Sequence, residues 1–273
     1  MHDMIMISHP ETEDLPVLKQ IWTDVFADPP ELIDTFFDRF SPEQYGWIVR
    51  CEKQILSTAY LLSGNRFSDG SNTIDAPYVY AVATPAEHRG KGCAGMLMRN
   101  FAKLAEAQSA LLYTRPANAS LFHWYAACMQ TVPAAPLEQR IVAARELNGA
   151  ALPVTRLSAR QYGSRREALL KGTPHIIMSD AFLLLQESFL NAEGGGLFVI
   201  GGGICACAIQ NGLLIIKEIL GPGAEAEQMI QALLNRFSCA RASVMERSQA
   251  GEPRVAYRAA NVQEATNWGL LLD

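Results

Sequence analysis

The sequence predicts an α+β protein made of two successive halves with similar element order. Three observations carry that reading. Tyr78–Ala83 is a charge-free run of aromatic, β-branched and small residues, which reads as a buried strand. It runs into a basic, glycine-bearing loop, Glu87-His88-Arg89-Gly90-Lys91-Gly92. From Cys93 the period changes: Ala94, Leu97, Met98, Phe101, Leu104 and Ala105 fall at helical spacing. Further along, a hairpin, a strand, a helix and a strand recur in the same order, without the basic loop.

Taken in order, Met4–Ile7 reads as a first strand. Thr12 stands where it would cap a helix running to about Phe26, with Leu15, Leu18, Ile21, Trp22 and Val25 on one face. Asp28-Pro29-Pro30 ends that helix. A second carries Leu32, Ile33, Phe36, Phe37 and Phe40. Tyr45–Cys51 and Ile55–Leu62 read as a hairpin turned at Glu52-Lys53, and Ser63–Asn72 as a polar loop. After the strand, loop and helix above, Leu111–Thr114 is another strand and Asn118–Met129 another helix. Thr131–Pro136 reads as a proline-bearing link.

In the second half, Phe182–Phe189 fits a strand or a short helix. Leu197–Ile200, Ile204–Gln210 and Leu213–Leu220 are strands turned at Gly201-Gly202-Gly203 and Asn211-Gly212. Ala224–Phe237 is a helix, and Ser243–Met245 a last core strand. Gly201-x-Gly203-x-x-Ala206 imitates a dinucleotide fingerprint. That fingerprint must open a helix, and here it opens a strand, so it reads as a hairpin turn.

Composition narrows the function classes. Hydrophobic residues make up 49% and charged residues 19% of the 273, which favours packed cores over long disorder. A net charge of −5 argues against a general nucleic-acid binder. No membrane span or signal peptide is read, and a cytoplasmic location is expected. Cys51, Cys93, Cys128, Cys205, Cys207 and Cys239 form no paired C-x-x-C units, so reduced thiols and no metal are expected.

The junction after Tyr78–Ala83 has a physical use. The first helical turn holds amides without internal partners, and the peptide dipoles add positive charge there. Glycines let the backbone close around an anion, and Arg89 and Lys91 add full charges. Arg89-Gly90-Lys91-Gly92-Cys93-Ala94 fits [RQ]-x-x-G-x-[GA] and resembles the pyrophosphate loop of the GNAT superfamily of N-acetyltransferases. The order β-α-α-β-β-β-α-β-α over about the first 130 residues matches that family's fold. Asn118 and Tyr125 also stand in the register of its N-x-x-A-x-x-x-Y-x-x-x-G-F segment. Leu121 departs from that segment, and Met129-Gln130 replaces its Gly-Phe.

The resemblance implies a GNAT fold: a mixed, mostly antiparallel central sheet flanked by helices, followed by a degenerate GNAT-like α/β domain. It places a catalytic domain at 1–135 and a C-terminal domain without the loop at 150–273. It implies acetyl-CoA as acyl donor, held by Arg89, Gly90, Lys91, Gly92, Cys93 and Ala94, by the backbone of Ala81, Val82 and Ala83, and by Asn118, which equally fits a helix cap. Tyr125 is implied as general acid. The central strand lacks the carboxylate that many members use as base. Asp75, His123 and, by similarity to the enhanced-intracellular-survival type of acetyltransferase, the terminal carboxylate of Asp273 are alternatives. The expected acceptor is a small-molecule or peptide amine, with homo-oligomerisation left open and no nucleic-acid or membrane partner. The competing reading is a non-catalytic acyl-CoA-binding regulatory module. Dinucleotide-dependent redox chemistry would need nucleotide binding at the glycine hairpin.

Overall fold

The protein is described by a computed structural model covering residues 5–145, 152–258 and 267–271. The chain forms two compact units. The first comprises 1–134, 254–265 and 271–273, and the second comprises 135–253 and 266–270. The second unit therefore begins at Ala135, earlier than the expected 150, and the chain's last strand returns to the first unit.

The first unit runs β1 (Ile5–Ser8), α1 (Leu15–Phe26), α2 (Pro30–Arg39), a short α3 (Pro42–Tyr45), β2 (Gly46–Cys51), β3 (Gln54–Leu62), β4 (Arg66–Ser68), β5 (Thr73–Asp75), β6 (Tyr78–Ala83), α4 (Cys93–Ala107), β7 (Leu112–Thr114) and α5 (Ala119–Met129). The second runs β8 (Val132–Ala143), β9 (Val154–Arg156), α6 (Ala159–Leu169), β10 (His175–Ile177), α7 (Asp180–Ala192), β11 (Gly196–Ile200), β12 (Gly203–Gln210), β13 (Leu213–Leu220), α8 (Ala226–Phe237) and β14 (Arg241–Arg247). Then β15 (Glu252–Arg258) completes the first.

The sheet of the first unit has the order β1-β2-β3-β6-β7-β15. Its pairings are antiparallel except β6 with β7. On one face, α1 and α2 pack an aromatic cluster, with Trp22 and Phe36 ring centres 4.7 Å apart and Tyr60 5.0 Å from Phe36. On the other, Leu97, Met98 and Phe101 of α4 and Met129 of α5 bury against Val49, Ala59, Val79 and Leu112. Arg258 fastens β15 by donating to the Ala102 carbonyl at 2.8 Å and to Glu106 at 2.9 Å.

The sheet of the second unit has the order β8-β14-β13-β12-β11-β9, again with one parallel pair, β13 with β14. Met229, Ile230 and Leu233 of α8 cover Cys205, Cys207, Ile216 and Val244. Both β12 cysteines are buried and free. The Gly201–Gly203 segment turns an antiparallel hairpin, Ile200 opposite Gly203.

Two local expectations, for Thr12 and for the stretch from Ser63, are corrected, and two, for Phe182–Phe189 and Thr131–Pro136, are refined. Thr12 does not cap α1. Glu11 and Asp14 form a reciprocal capping box around a 3-10 turn, and the Thr12 hydroxyl donates to Glu43 at 3.0 Å. Phe182–Phe189 lies inside a helix, α7, capped by Ser179. The polar stretch from Ser63 contains β4, which pairs with β5. Thr131–Pro136 contains the division between the units, at 134/135, and from Val132 it is the start of β8 rather than a loop. Its ladder with β14 runs from Leu137 to Ala143, so both prolines precede the positions that must donate.

Candidate functional site

The site of the first unit grows from one irregularity in β6. Its parallel pairing with β7 covers Tyr78 with Tyr113 and Val79 with Thr114, and no further pair follows among the described residues. Beyond that point the strands part. On the β3 side the register shifts between Tyr60 and Thr58, leaving an extra residue in β6. Ala81 there has φ +45°, a left-handed conformation that ordinary side chains rarely take. This is a β-bulge, which bends a strand and re-aims its backbone. The result is an edge of β6 with exposed hydrogen-bonding capacity facing a gap.

That gap is a cavity of about 300 Å³, lined by Trp22, Phe26 and Asp28 from α1 and its exit, Tyr78–Val82 from β6, Thr114, Arg115 and Ala117, and Leu121 and Tyr125 of α5. Tyr78 and Tyr80 stand on the α1–α2 face. Tyr80 lies 5.7 Å from the Trp22 ring. A larger cavity, about 720 Å³, runs along α1 beside Gln54 and Pro85–Arg89. No residue of β6, β7 or α5 lines it, so it does not reach the parted strands.

The loop after β6 closes the other end of the site. Gly90 and Gly92 have φ +76° and +82°, and a Cβ at either would meet no atom within 4 Å. The glycines are needed for backbone conformation, and the space around them is open. Gly92 is the N-cap of α4 and supplies no side-chain cap, and the first turn carries no acidic residue. Its leading amides are therefore available to an anion. Arg89 folds back and donates to the Thr84 carbonyl at 3.1 Å, which steadies the loop.

The residues singled out from the sequence fall into three groups. Ala81, Val82 and Tyr125 line the cleft. Arg89, Gly90, Lys91 and Gly92 form the exposed loop, with Cys93 buried and Ala94 half-buried at the helix start. Ala83 and Asn118 point to structural duties. The Ala83 carbonyl accepts from the Ser57 hydroxyl at 2.9 Å. Asn118 is exposed and caps α5, accepting from the amides of Ser120 and Leu121. Among the alternative bases, Asp75 and His123 are exposed and line no part of the cleft. Asp273 lies outside the described residues.

Tyr125 is 6% exposed and stands near Thr114, whose hydroxyl donates to the Val79 carbonyl at 2.9 Å. Burial pushes its phenol up to about 12, partly offset by Thr114. It stays protonated across the working range of an enzyme. Sequence reasoning passed over Asp28 and Arg115. Asp28 follows Ala27, which closes α1 in the left-handed conformation, and precedes two prolines. The turn is stiff, and the Trp22 indole donates to Asp28 Oδ2 at 2.8 Å. The only sequence signal for Asp28 was its place at a helix break.

These features define a GNAT-fold site: a bulged central strand parted from its parallel neighbour, with a glycine loop leading into a helix. Residues 6–125 match the family described as the acetyltransferase (GNAT) domain. That match spans 120 of the 273 residues, all of them in the first unit. No curated protein sequence matches the chain. Among solved structures it is similar to a GCN5-related N-acetyltransferase from Anabaena variabilis, with TM-score 0.74 and 14% identity, covering 94% of this chain and 73% of that one. It is also similar to Eis1 from Mycobacterium abscessus, with TM-score 0.67 and 10% identity, covering 94% and 73%. A tandem GNAT protein from the clavulanic acid biosynthesis pathway aligns over 96% of this chain and 100% of its own length, at TM-score 0.56 and 11% identity. At these identities the likeness is one of fold.

Proposed function

We propose that the protein is an acetyl-CoA-dependent N-acetyltransferase whose chemistry is confined to the first unit. The observation that carries this is the parted β6 edge ending in an uncapped, glycine-lined helix start. An extended pantetheine arm would pair with the bulged backbone around Ala81 and Val82 as an added strand. The pyrophosphate would sit on the leading amides of α4, with Arg89 and Lys91 adding charge. The thioester then lies in the cleft beside Tyr125 and Asp28.

The reaction joins the amine nitrogen to the acetyl carbon and breaks the carbon–sulfur bond. The attacking amine must lose its extra proton, and the departing thiolate must be stabilised. Asp28 is the carboxylate that lines the cleft, and it serves the first need by holding the ammonium and drawing off its proton. Tyr125 serves the second. A phenol at about 12 facing a thiol of ordinary value near 8.5 makes full transfer to sulfur uphill by roughly 5 kcal/mol. Tyr125 therefore stabilises the thiolate through a hydrogen bond, and solvent supplies the final proton. The products are an amide, free coenzyme A and one released proton.

Thiol release from acetyl-CoA, followed with a panel of small amines, tests the reading. Amine-dependent release above the background of hydrolysis is expected. Tight acetyl-CoA binding without turnover of any amine would favour the non-catalytic regulatory module instead.

A further inference from the structure

In the second unit, residues 267–270 are tied to β10 and α7. The Asn267 backbone pairs with β10 on either side of His175. Its amide donates to the Pro174 carbonyl at 3.4 Å, and its carbonyl accepts from the Ile176 amide at 2.9 Å. Asn267 Oδ1 accepts from Arg166 Nη2 at 2.6 Å and from the Gly269 amide at 2.7 Å. Further on, Trp268 and Leu270 are buried, and Gln186 of α7 donates to the Leu270 carbonyl at 3.2 Å. We infer that this segment is a pH-sensitive strap, docked on β10 while His175 carries both ring protons and loosened when it loses one.

The ring geometry argues first. His175 is 4% exposed, and both of its nitrogens face oxygens. Nδ1 lies 2.7 Å from the Thr173 carbonyl, and Nε2 lies 2.9 Å from Glu167 Oε2. A neutral imidazole has one N–H and can serve only one of them. Its other nitrogen would turn a lone pair toward an oxygen, in a place closed to water. The imidazolium satisfies both. The other Glu167 oxygen lies 3.4 Å from Arg166 Nη1, so one carboxylate joins His175 to the arginine that holds Asn267.

The coupling runs through β10. Docking makes Pro174 and Ile176 the partners of Asn267, which fixes the His175 ring between its two oxygens. With the segment released, the ring can turn to water and find partners in either charge state. The docked state therefore binds the proton more tightly, and by linkage the proton favours docking. Glu167 and Arg166, both from α6, are the charged groups that act on the ring, whereas Thr173 and Asn267 present only uncharged groups. The Glu167 hydrogen bond outweighs burial and Arg166, and it holds the imidazole above its ordinary value. The sign follows: docking is strongest below the released-state value and weakens as pH rises through the docked one. Arg166 keeps its charge throughout this range, so the strap loosens at β10 while its arginine contact persists.

Hydrogen exchange on the whole native chain tests this. Rates are read as protection factors, which divide out the intrinsic pH dependence of exchange. The Ile176 amide is the reporter, because its acceptor is the strap. Amides inside β12 report unfolding of the unit as a whole. In wild type, Ile176 protection should fall about 10-fold between pH 6 and pH 8.5, the worth of one charge-assisted hydrogen bond at the weak end of its range. Protection in β12 should change little. His175→Gln should lower Ile176 protection at pH 6 and remove its pH dependence. Glu167→Gln takes the charge from the ring's partner and should remove most of that dependence, which decides the matter if His175→Gln fails to fold. Constant Ile176 protection in wild type, an equal fall in β12, or a pH dependence that survives both substitutions would overturn the inference.

Discussion

The two units repeat one junction and treat it in opposite ways. In the first, β6 leaves its parallel partner after Val79, bulges at Ala81, and leads through Arg89–Gly92 into α4. In the second, β13 pairs with β14 as far as Ile216, shifts register at Lys217 against β12, and leads through Gly221-Pro222-Gly223 into α8. The bulge is kept in both. What differs is charge. The second junction has no basic residue. Glu225 is the N-cap of α8, its carboxylate accepts from the Gly202 amide, and Glu227 follows in the first turn. Those carboxylates occupy the electrostatic niche that α4 leaves for an anion.

The sheets beside the junctions differ as well. In the first unit the β6 edge opens on a cavity. In the second, Glu218 of β13 is buried beneath α6, where Tyr162 donates to it at 2.7 Å and the Arg166 Nε contacts both oxygens at 3.1 and 3.2 Å. Arg166 also donates to the Ile176 carbonyl and to Asn267 Oδ1, each at 2.6 Å. A carboxylate on the central strand, absent from the first unit's β6, is thus present in the second but tied into a structural network. The same fold holds a cleft in one place and a polar core in the other, so function follows the side chains and not the topology.

Breaking each unit at its own centre should sharpen that contrast. Tyr125→Phe removes the hydroxyl that the proposed reaction turns to the thiolate, and kcat should fall ~10²–10⁴-fold with coenzyme A affinity almost unchanged. Full kcat from pH 6 to 9 on a confirmed substrate would refute the role given to Tyr125. Arg166→Ala leaves Glu218 buried without its charge partner, and should destabilise the second unit by about 3–5 kcal/mol in denaturant unfolding. The pair Arg166→Met with Glu218→Leu should recover most of that loss. If Arg166→Ala unfolds at the wild-type midpoint, the network is not structural.

Much of this was readable locally. The stretch from Tyr78 to Ala105 announces itself because glycines, basic residues and a change of period lie side by side. Pairing partners remote in sequence leave no such mark. β15 alternates charged and apolar residues and takes its place only by pairing with β7. The α6 sequence ARQYGSRREAL hides its inward face, because the residues it buries include Arg166 and Tyr162. Asp28 and Arg115 come to line one cavity only when a turn and a strand end meet there. The prolines of β8 concealed a strand by preceding its ladder.

Two smaller effects test the backbone of each unit. Ala81→Val puts a β-branched residue in the left-handed region and should cost about 1–3 kcal/mol, whereas Ala81→Gly should cost no more than a few tenths. Equal unfolding midpoints for the two variants would argue against the bulge. In the second unit, His175 lies 2.9 Å from Glu167, and that hydrogen bond, opposed by burial and by Arg166, holds its imidazole above the ordinary value of about 6.5. A raised folded-state value means that His175 adds stability fully below the unfolded value and loses it as pH rises through the folded one. Wild type should therefore lose slightly more stability than His175→Gln between pH 6 and pH 8.5, and identical losses would contradict this.

The central claim is that only the first junction holds a pyrophosphate. Calorimetric titration of coenzyme A into the whole chain tests it most directly. The account predicts one molecule per chain, with affinity reduced by roughly 1.5–3 kcal/mol in Arg89→Ala for each charge-assisted hydrogen bond lost. Two molecules per chain, or one whose affinity Arg89→Ala leaves unchanged, would contradict it.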